Sequence, residues 1–391
     1  MPTKVVARLS RDGGVYLAGE SVECRVTFTR SSGDRVRGDD RADSIAWCTV
    51  QLHCNGLLNR QRVQEKRSAS AAAKSTTFAP SRNENGKTFY ASKPAVLVCD
   101  LTLKAGESRS FVHSEQLPEE DTPPSYSGQA VKYQYKLTVG VQHVNAPVKL
   151  LQLPIRVLRI LTTAGLRAPL RLAAEEEQLS PSNPFLHADS AKLSALEIAN
   201  QVIESVTAVS NCHTYNIMCE RGRVAQFVLY KNSYKLGDQV VGKFLFDDAT
   251  VPCYEYTASL QTVEVVAEEW RAASGAQTAA AHHATTTHSS TSALALYLHS
   301  AELALRVPLQ ATPSFFTDIL HVKWRLSFEF LLCKEPVDLV PPPRAGSAWT
   351  APSALDVETL VWEVGLKVFP CNPLNASLVV AEQQRTASIQ L

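Results

Sequence analysis

Among the residues of this chain, the histidines and cysteines come closest to the spacing of a metal site. His282, His283 and His288 carry imidazoles of the kind that bind zinc, but they lie in a run of Ala, Thr and Ser that offers no rigid scaffold. Cys212 and Cys219 stand seven positions apart, which does not fit the ligand spacing of zinc fingers. We therefore predict that the chain has no metal site.

Motifs for covalent catalysis and for phosphate binding are also missing. The 391 residues contain no GxxxxGK[ST] loop, no GxGxxG turn and no GxSxG elbow. His213 does not activate Cys212, because adjacent residues of a strand point to opposite faces. The acidic clusters at 119–121 and 247–248 fall in predicted turns, where solvated charge is the ordinary interpretation. We expect a non-catalytic protein that uses no cofactor and no small-molecule substrate.

Two short motifs match peptide ligands of other proteins. Pro123-Pro124-Ser125-Tyr126 matches PPxY, which WW domains bind in polyproline form. The second half of the chain repeats this motif as 312–315 (TPSF), which favours a structural role with both aromatic rings packed inward.

The second motif, Asn183-Pro184-Phe185, matches the short ligand of EH domains and lies in a predicted exposed linker. Packing of Phe185 on the adjacent helix is the simpler interpretation of this motif. Partner binding by these three residues is the competing hypothesis.

An internal repeat relates the two halves of the chain. The stretch 16–28 (YLAGESVECRVTF) recurs 218 residues later as 234–246 (YKLGDQVVGKFLF), with the aromatic, the glycine, the acid and the alternating apolar positions in register. Later segments match as well, and the pattern aligns 131–133 (VKY) with 322–324 (VKW). A repeat of this period indicates two copies of one domain.

The repeated segments alternate apolar and polar residues with a period of two, which is typical of strands with one buried face. Glycine followed by an acid marks turns before several of them. We predict an all-β fold of two tandem immunoglobulin-type β-sandwiches, joined by a linker that contains a helix. The predicted domains are 1–160, the linker 161–211 and 212–391, with a disordered loop near 271–292.

The linker helix is the element most suited to a partner. Its apolar residues recur at steps of three and four, the signature of an amphipathic helix from 193 to 206. This apolar stripe must bury against a sandwich or against another protein. Our candidate partner-binding residues in it are Leu193, Leu196, Val202, Ile203 and Val206.

Composition excludes several other classes of protein. The formal net charge of +1 gives no electrostatic footprint for nucleic acid. The first fourteen residues have no apolar segment of a secretory signal. The nine cysteines form no CxxC pair, and their odd number cannot be bridged completely within the chain. We expect a protein of a reducing compartment, the cytosol.

Particular segments resemble a known fold and a known family. Tyr-x-x-Gly-Glu-x-Val at 16–22, with Leu-Pro at 117–118 and Pro-Ser-Tyr at 124–126, looks like the arrestin fold, in which two β-sandwiches stand in tandem. The segments 222–227 (GRVAQF) and 321–326 (HVKWRL), together with 234–242 and 123–137, resemble the retrograde Golgi transport protein Rgp. This resemblance covers the whole chain apart from its low-complexity loops.

The resemblance implies a function that no local motif shows. Rgp proteins pair with the larger Ric protein, and the heterodimer is a guanine nucleotide exchange factor for a Golgi Rab GTPase in retrograde endosome-to-Golgi transport. The implied location is the cytoplasm, with the cytosol and the peripheral Golgi membrane as its parts. Exchange factors form no covalent bond, in keeping with the lack of catalytic motifs.

Two alternative functions belong to other users of this fold. An arrestin-domain adaptor of ubiquitin ligases would use 123–126 to bind WW domains, although such adaptors usually carry PPxY in a tail. A retromer-like cargo-sorting subunit would have different partners. A third alternative, a carbohydrate-binding or enzymatic β-sandwich, is supported by no residues that we can assign to it.

Overall fold

The computed structural model describes most of the chain, and all statements below refer to the described part. The described residues are 3–31, 43–64, 82–83, 86–119, 122–144, 146–160, 195–208, 211–272, 283–296, 298–334, 354–379 and 386–391. The fold is all-β, as the alternating pattern predicts. None of the helices in these ranges has the length and apolar character that crossing a bilayer requires.

Eleven strands come from the first part of the chain. They are β1 Thr3–Leu9, β2 Val15–Leu17, β3 Ser21–Arg30, β4 Asp43–Leu58, β5 Arg82–Asn83, β6 Gly86–Ala91, β7 Ala95–Leu103, β8 Ser108–Gln116, β9 Tyr126–Ser127, β10 Val131–His143 and β11 Lys149–Leu158. A short 3-10 turn, Asp12–Gly14, stands between β1 and β2.

The second part begins with a helix and ends with a strand. Its elements are α1 Ala195–Ala208, β12 His213–Cys219, β13 Gly222–Leu229, β14 Ser233–Lys235, β15 Gln239–Leu245, β16 Cys253–Val266, β17 His283–Leu294, β18 Ser300–Arg306, β19 Phe315–Phe316, β20 Leu320–Cys333, β21 Val357–Phe369, α2 Pro373–Ser377 and β22 Thr386–Gln390.

Four sheets form two matching pairs. In the first half, the order β22-β1-β3-β8 lies over the order β2-β11-β10-β4-β6-β5, and the two sheets share one buried core. In the second half, β12-β13-β15-β18 shares a core with β14-β21-β20-β16-β17. Equivalent strands of the repeat occupy equivalent places, so the predicted duplication is confirmed. The specific likeness of each half to arrestin remains a prediction.

The last strand of the chain completes the first half. β22 pairs with β1 in antiparallel register, with Ile389 opposite Val5 and Ala387 opposite Ala7. In the second half β12, which follows α1, holds the same outer place beside β13. The predicted range 212–391 is therefore corrected, because its last strand belongs to the other half. The alternation of 386–391 predicts a strand, but it does not tell which sheet edge the strand joins.

The predicted disordered loop near 271–292 is partly wrong. Residues 283–294 form β17, which pairs along its length with β16. The prediction failed because it weighed side-chain polarity alone. Pairing with a long neighbour satisfies the backbone whatever the side chains are, and the threonines at 285–287 favour the extended conformation. Residues 273–282 lie outside the described residues.

The repeated tyrosine and acid form one structural device in each half. In the first, the Tyr16 ring is buried, and the Arg11 guanidinium lies 4.5 Å from its centroid. Glu20 binds this guanidinium at 2.9 Å and also accepts a hydrogen bond from the backbone N–H of Leu17. Gly19 has a φ of 88°, a conformation that glycine adopts without strain. The acid thus closes the turn that the glycine makes.

The second half repeats the device with different cations. Lys231 lies 4.9 Å from the centroid of the buried Tyr234 ring and binds Asp238 at 3.1 Å. Asp238 accepts from the backbone N–H of Lys235 at 3.1 Å, and Gly237 has a φ of 91°. The tyrosine, glycine and acid that recur in the sequence therefore make the same contacts in both halves.

The aromatic residues of the two long central strands match with a shift of two from the sequence alignment. Tyr133 pairs with Tyr126 across β9 and β10, which makes it the counterpart of Val322 and not of Trp324. Tyr135 is the counterpart of Trp324: its hydroxyl donates to Pro123 O at 2.7 Å, and the Trp324 indole N–H donates to Thr312 O at 3.1 Å. The spacing from Tyr126 to Tyr133 equals that from Phe315 to Val322, and the alignment was wrong because it followed the VK dipeptide, which lies two positions later in the second half.

A buried carboxylate joins the two halves. Glu264, on β16, is only 2% exposed, and it accepts hydrogen bonds from the backbone N–H groups of Gln129 and Ala130 at 2.8 and 2.9 Å. Beside it the Tyr126 and Phe315 rings meet edge to face at 5.0 Å. Burial, followed by the Glu264 charge, raises the pKa of Tyr126. Each half therefore contributes to the core of the other.

We expect Glu264→Ala to lower the free energy of unfolding by about 2–4 kcal/mol, because it leaves the buried N–H of Ala130 and the partly buried N–H of Gln129 without their acceptor. Chemical denaturation of the full chain measures this loss. Glu268→Ala is the matched control, because Glu268 is 86% exposed and its removal leaves no buried group. Equal stability of the two variants would contradict this account of the contact between the halves.

Candidate functional site

The predicted linker helix exists, and its apolar stripe is already packed. α1 covers 195–208, so all but the first two residues of the predicted span 193–206 are helical. Ile203 is 2% exposed, Ala199 belongs to the core of the second half, and Leu196 packs against that core in part. Val202 and Val206 are half-buried.

Polar contacts hold α1 on β14 of its own chain. Lys235 forms an ion pair with Glu204, and the Lys231 ammonium donates to Thr207 O at 3.3 Å. The apolar stripe of α1 is therefore buried against its own chain. Its burial no longer requires a second protein. Partner binding by α1 stays a prediction, and its half-buried candidate residues are Leu196, Val202 and Val206.

Four predicted partner-binding residues lie outside the described residues. They are Asn183, Pro184, Phe185 and Leu193. Their role in binding stays a prediction.

The PPxY match is built into the fold. The Ser125 hydroxyl accepts from Val157 N at 2.8 Å, and Ser125 N donates to Val157 O at 2.8 Å. Tyr126 packs on Phe315 and next to Glu264. The same serine clamp recurs in the second half, where Ser314 exchanges two hydrogen bonds with Val368. The structural interpretation of the motif is confirmed.

The histidines of β17 lie on a strand instead of in a loop. His288 stacks on Trp324, with 4.6 Å between ring centroids, and shares a hydrogen bond of 3.0 Å with Thr262. Burial lowers the pKa of His288. His283 lies at the exposed start of the strand, and His282 is outside the described residues. Within the described ranges, no three side chains of His, Cys, Asp or Glu converge to hold a metal ion.

Burial explains the larger pKa shifts in the structure. It raises the pKa of Cys24 and of Cys48 to about 12, and it lowers the pKa of His53 to about 4. All three side chains are buried in strands of the first half. Thiols with raised pKa values are poor nucleophiles, so these groups serve packing.

The second half is open along one side, where β12 is the outermost strand of its sheet and β21 is covered by β14 only at its last three residues. The rings of Tyr215 and Trp362 bridge the two edges at 5.3 Å between centroids, and both are half-buried. Met218 on β12 and Val361 on β21 expose more than half of their surface. We call this region, β12 with residues 357–366 of β21, the open side.

In the part of the chain that the structure describes, backbone groups without a pairing strand and acidic side chains mark the β21 part of the open side. β14 covers only the last three residues of β21, by parallel pairing. Val361 is 58% exposed and lies beside Glu329 of the neighbouring strand β20. Glu363 follows two residues later and binds Arg325 at 2.5 Å. An edge with free donors and acceptors is a surface for another strand.

Sequence reasoning missed the open side. The alternation of 364–369 predicts the end of this strand and its buried face, but not a free edge. The one available signal was Val361, an apolar residue in the outward row between Thr359 and Glu363.

Fold and site together define a class: an all-β protein of two related halves, with an exposed strand edge and no converging catalytic groups among the described residues. Comparison with known proteins gives its family. The Rgp1 family model matches residues 20–176 and 170–333. The chain belongs to the Rgp1 family.

Two curated relatives have the same name. The "RAB6A-GEF complex partner protein 2" of Homo sapiens is 38% identical over 387 residues, which is 96% of each chain. The Bos taurus protein of that name is 38% identical over 377 residues, or 93% of each chain. A solved structure of the sporulation control protein Spo0M from Bacillus subtilis matches 62% of this chain and 79% of its own, with 14% identity and a TM-score of 0.27, too low to support any argument.

We expect the folded chain to bind no WW domain, because the contacts of Ser125 and Tyr126 occupy the groups that such a ligand must expose. Calorimetric titration of a PPxY-binding WW domain with the native chain should show no heat of binding. A free peptide of residues 119–130 serves as the control for the motif itself. Binding by the native chain that Tyr126→Phe abolishes would contradict the expectation and favour the adaptor hypothesis.

Proposed function

We propose that the chain is the non-catalytic scaffold subunit of a Rab guanine nucleotide exchange complex, in which it pairs with the larger Ric subunit. The observation that carries this proposal is the 38% identity, over 96% of both chains, to a protein named as a partner in a RAB6A-GEF complex. Identity at that level along nearly the whole length leaves little of the chain for an unrelated function.

Nucleotide exchange requires binding alone. An exchange factor accelerates the release of GDP by binding the nucleotide-free GTPase more tightly than the loaded one. No bond is made or broken in that step. A chain whose perturbed histidines and thiols are explained by burial suits a subunit that contributes surface and rigidity to such a complex.

The structure supplies the physical properties that a scaffold needs. Glu264 and the paired rings of Tyr126 and Phe315 fix the halves against each other, so surfaces on both keep a set relative position. The open side offers unpaired strand edges, which are common docking elements of β-proteins.

The finer parts of the proposal rest on family resemblance. We propose that the GTPase is a Golgi Rab, that the complex acts in retrograde endosome-to-Golgi transport, and that it shuttles between the cytosol and the peripheral Golgi membrane. Contacts with the membrane then belong to the assembled complex.

A nucleotide-release assay tests the proposal. The chain is co-expressed with its cognate Ric subunit, and the pair is purified and mixed with RAB6A that is loaded with a fluorescent GDP analogue. We expect at least about a tenfold faster release than with either subunit alone, because the complex stabilises the empty GTPase. A Rab of the plasma membrane serves as the control for specificity.

Two results would count against the proposal. If the two subunits do not co-purify, the pairing is wrong. If they co-purify but leave the GDP release rate of RAB6A unchanged, the assembly is right and the exchange function is wrong.

A further inference from the structure

The free edge of β21 carries consecutive backbone groups that point away from the sheet. Lys367 N donates to Asn232 O at 2.9 Å, and Leu236 N donates to Phe369 O at 3.0 Å, so residues 367 and 369 face β14. Backbone groups alternate sides along a strand, and β21 keeps an unshifted register with β20 from 357 to 366. The N–H and C=O groups of 359, 361, 363 and 365 therefore face outward on the same edge.

The structure shows two precedents for strand addition to such an edge. β14, a segment of three residues, pairs in parallel with the end of this edge. β22 pairs with the outer edge of β1 and places Ala387 and Ile389 against the first core. Both added segments use backbone hydrogen bonds and place apolar side chains in a core, the Tyr234 ring for β14 and Ala387 and Ile389 for β22. The described residues contain no strand that continues the β14 pairing past Lys367.

Side chains along the free edge indicate the chemistry of the added strand. Val361 offers an apolar contact at its centre, and Gly365 leaves open space for a larger residue from the other chain. Glu329 lies opposite Val361 and, among the described residues, has no cationic partner. An extended segment with an aliphatic residue and a basic residue fits this pattern.

We propose that residues 359–365 of β21 bind an extended segment of the larger subunit of the exchange complex by strand addition, with a basic residue of that segment beside Glu329. This inference rests on the proposed function, because it names where the partner subunit of that complex docks. The occupant is a strand and not a helix, because only a strand pairs with a row of alternate backbone donors and acceptors.

Two substitutions at one position separate the backbone from the side chain. Val361→Pro removes a donor that faces outward, so the pairing with β20 is kept while an added strand is blocked. Val361→Thr keeps the donor and the β-branched shape. Affinity for the co-expressed Ric subunit is measured by interferometry with the full-length chain. We expect Val361→Pro to weaken binding at least about tenfold and Val361→Thr to leave it within about twofold.

A charge substitution gives a second test that does not depend on proline. Val361→Lys should weaken binding at least about tenfold, because lysine on an edge strand opposes pairing and repels a basic segment. Val112→Lys is the matched control, because Val112 is 60% exposed on β8, the edge strand of the other half. Glu329→Lys should weaken binding as well. Thermal unfolding confirms that each variant is folded.

The outcomes separate the inference from the proposed function. If Val361→Pro and Val361→Lys bind the Ric subunit as the wild type does, the docking site is wrong and the exchange function stands. If the wild-type chain fails to bind the Ric subunit, both are overturned. If light scattering shows a dimer of the wild type that Val361→Pro makes monomeric, the occupant is a second copy, and the inference is overturned.

Discussion

The architecture depends on one constraint: the backbone groups at the edge of a sheet need hydrogen-bond partners. At β1 the chain meets this constraint with a strand from the far end of the sequence. β22, which follows the second half, pairs with β1 of the first, and β12 holds the matching place beside β13 in the second. The four-stranded sheet of the first half thus has its outer strand only when β22, near the end of the chain, pairs with β1.

Two kinds of polar contact stabilise the rest of the architecture. The acids Glu20 and Asp238 close the turns that direct β2 and β14 into their parallel pairings, and each is fixed by a cation over a buried tyrosine. Glu264 then ties the turn at 129–130 to the opposite half. Because the Glu264 contact crosses between the halves, it holds their surfaces in one relative arrangement, as the proposed scaffold role requires.

Sequence patterns predict most of the fold but little of the site. Period-two alternation and the Tyr–Gly–acid repeat give the class and the duplication, because burial of one strand face and a turn of positive φ leave local signatures. The partners of β22 and β17 are not predictable in this way, because pairing through the backbone leaves no mark on side chains. The free edge of β21 was missed for the same reason, since what matters there is the lack of a neighbouring strand.

The pairing of β22 with β1 is tested most directly by hydrogen exchange of the free full-length chain, with mass spectrometry as the readout. The account predicts that amides of 386–391 are protected and open together with those of β1, because the two strands share their hydrogen bonds. Exchange of 386–391 at the rate of an unstructured peptide, while β1 stays protected, would show that the first half is complete without the end of the chain and would contradict the account.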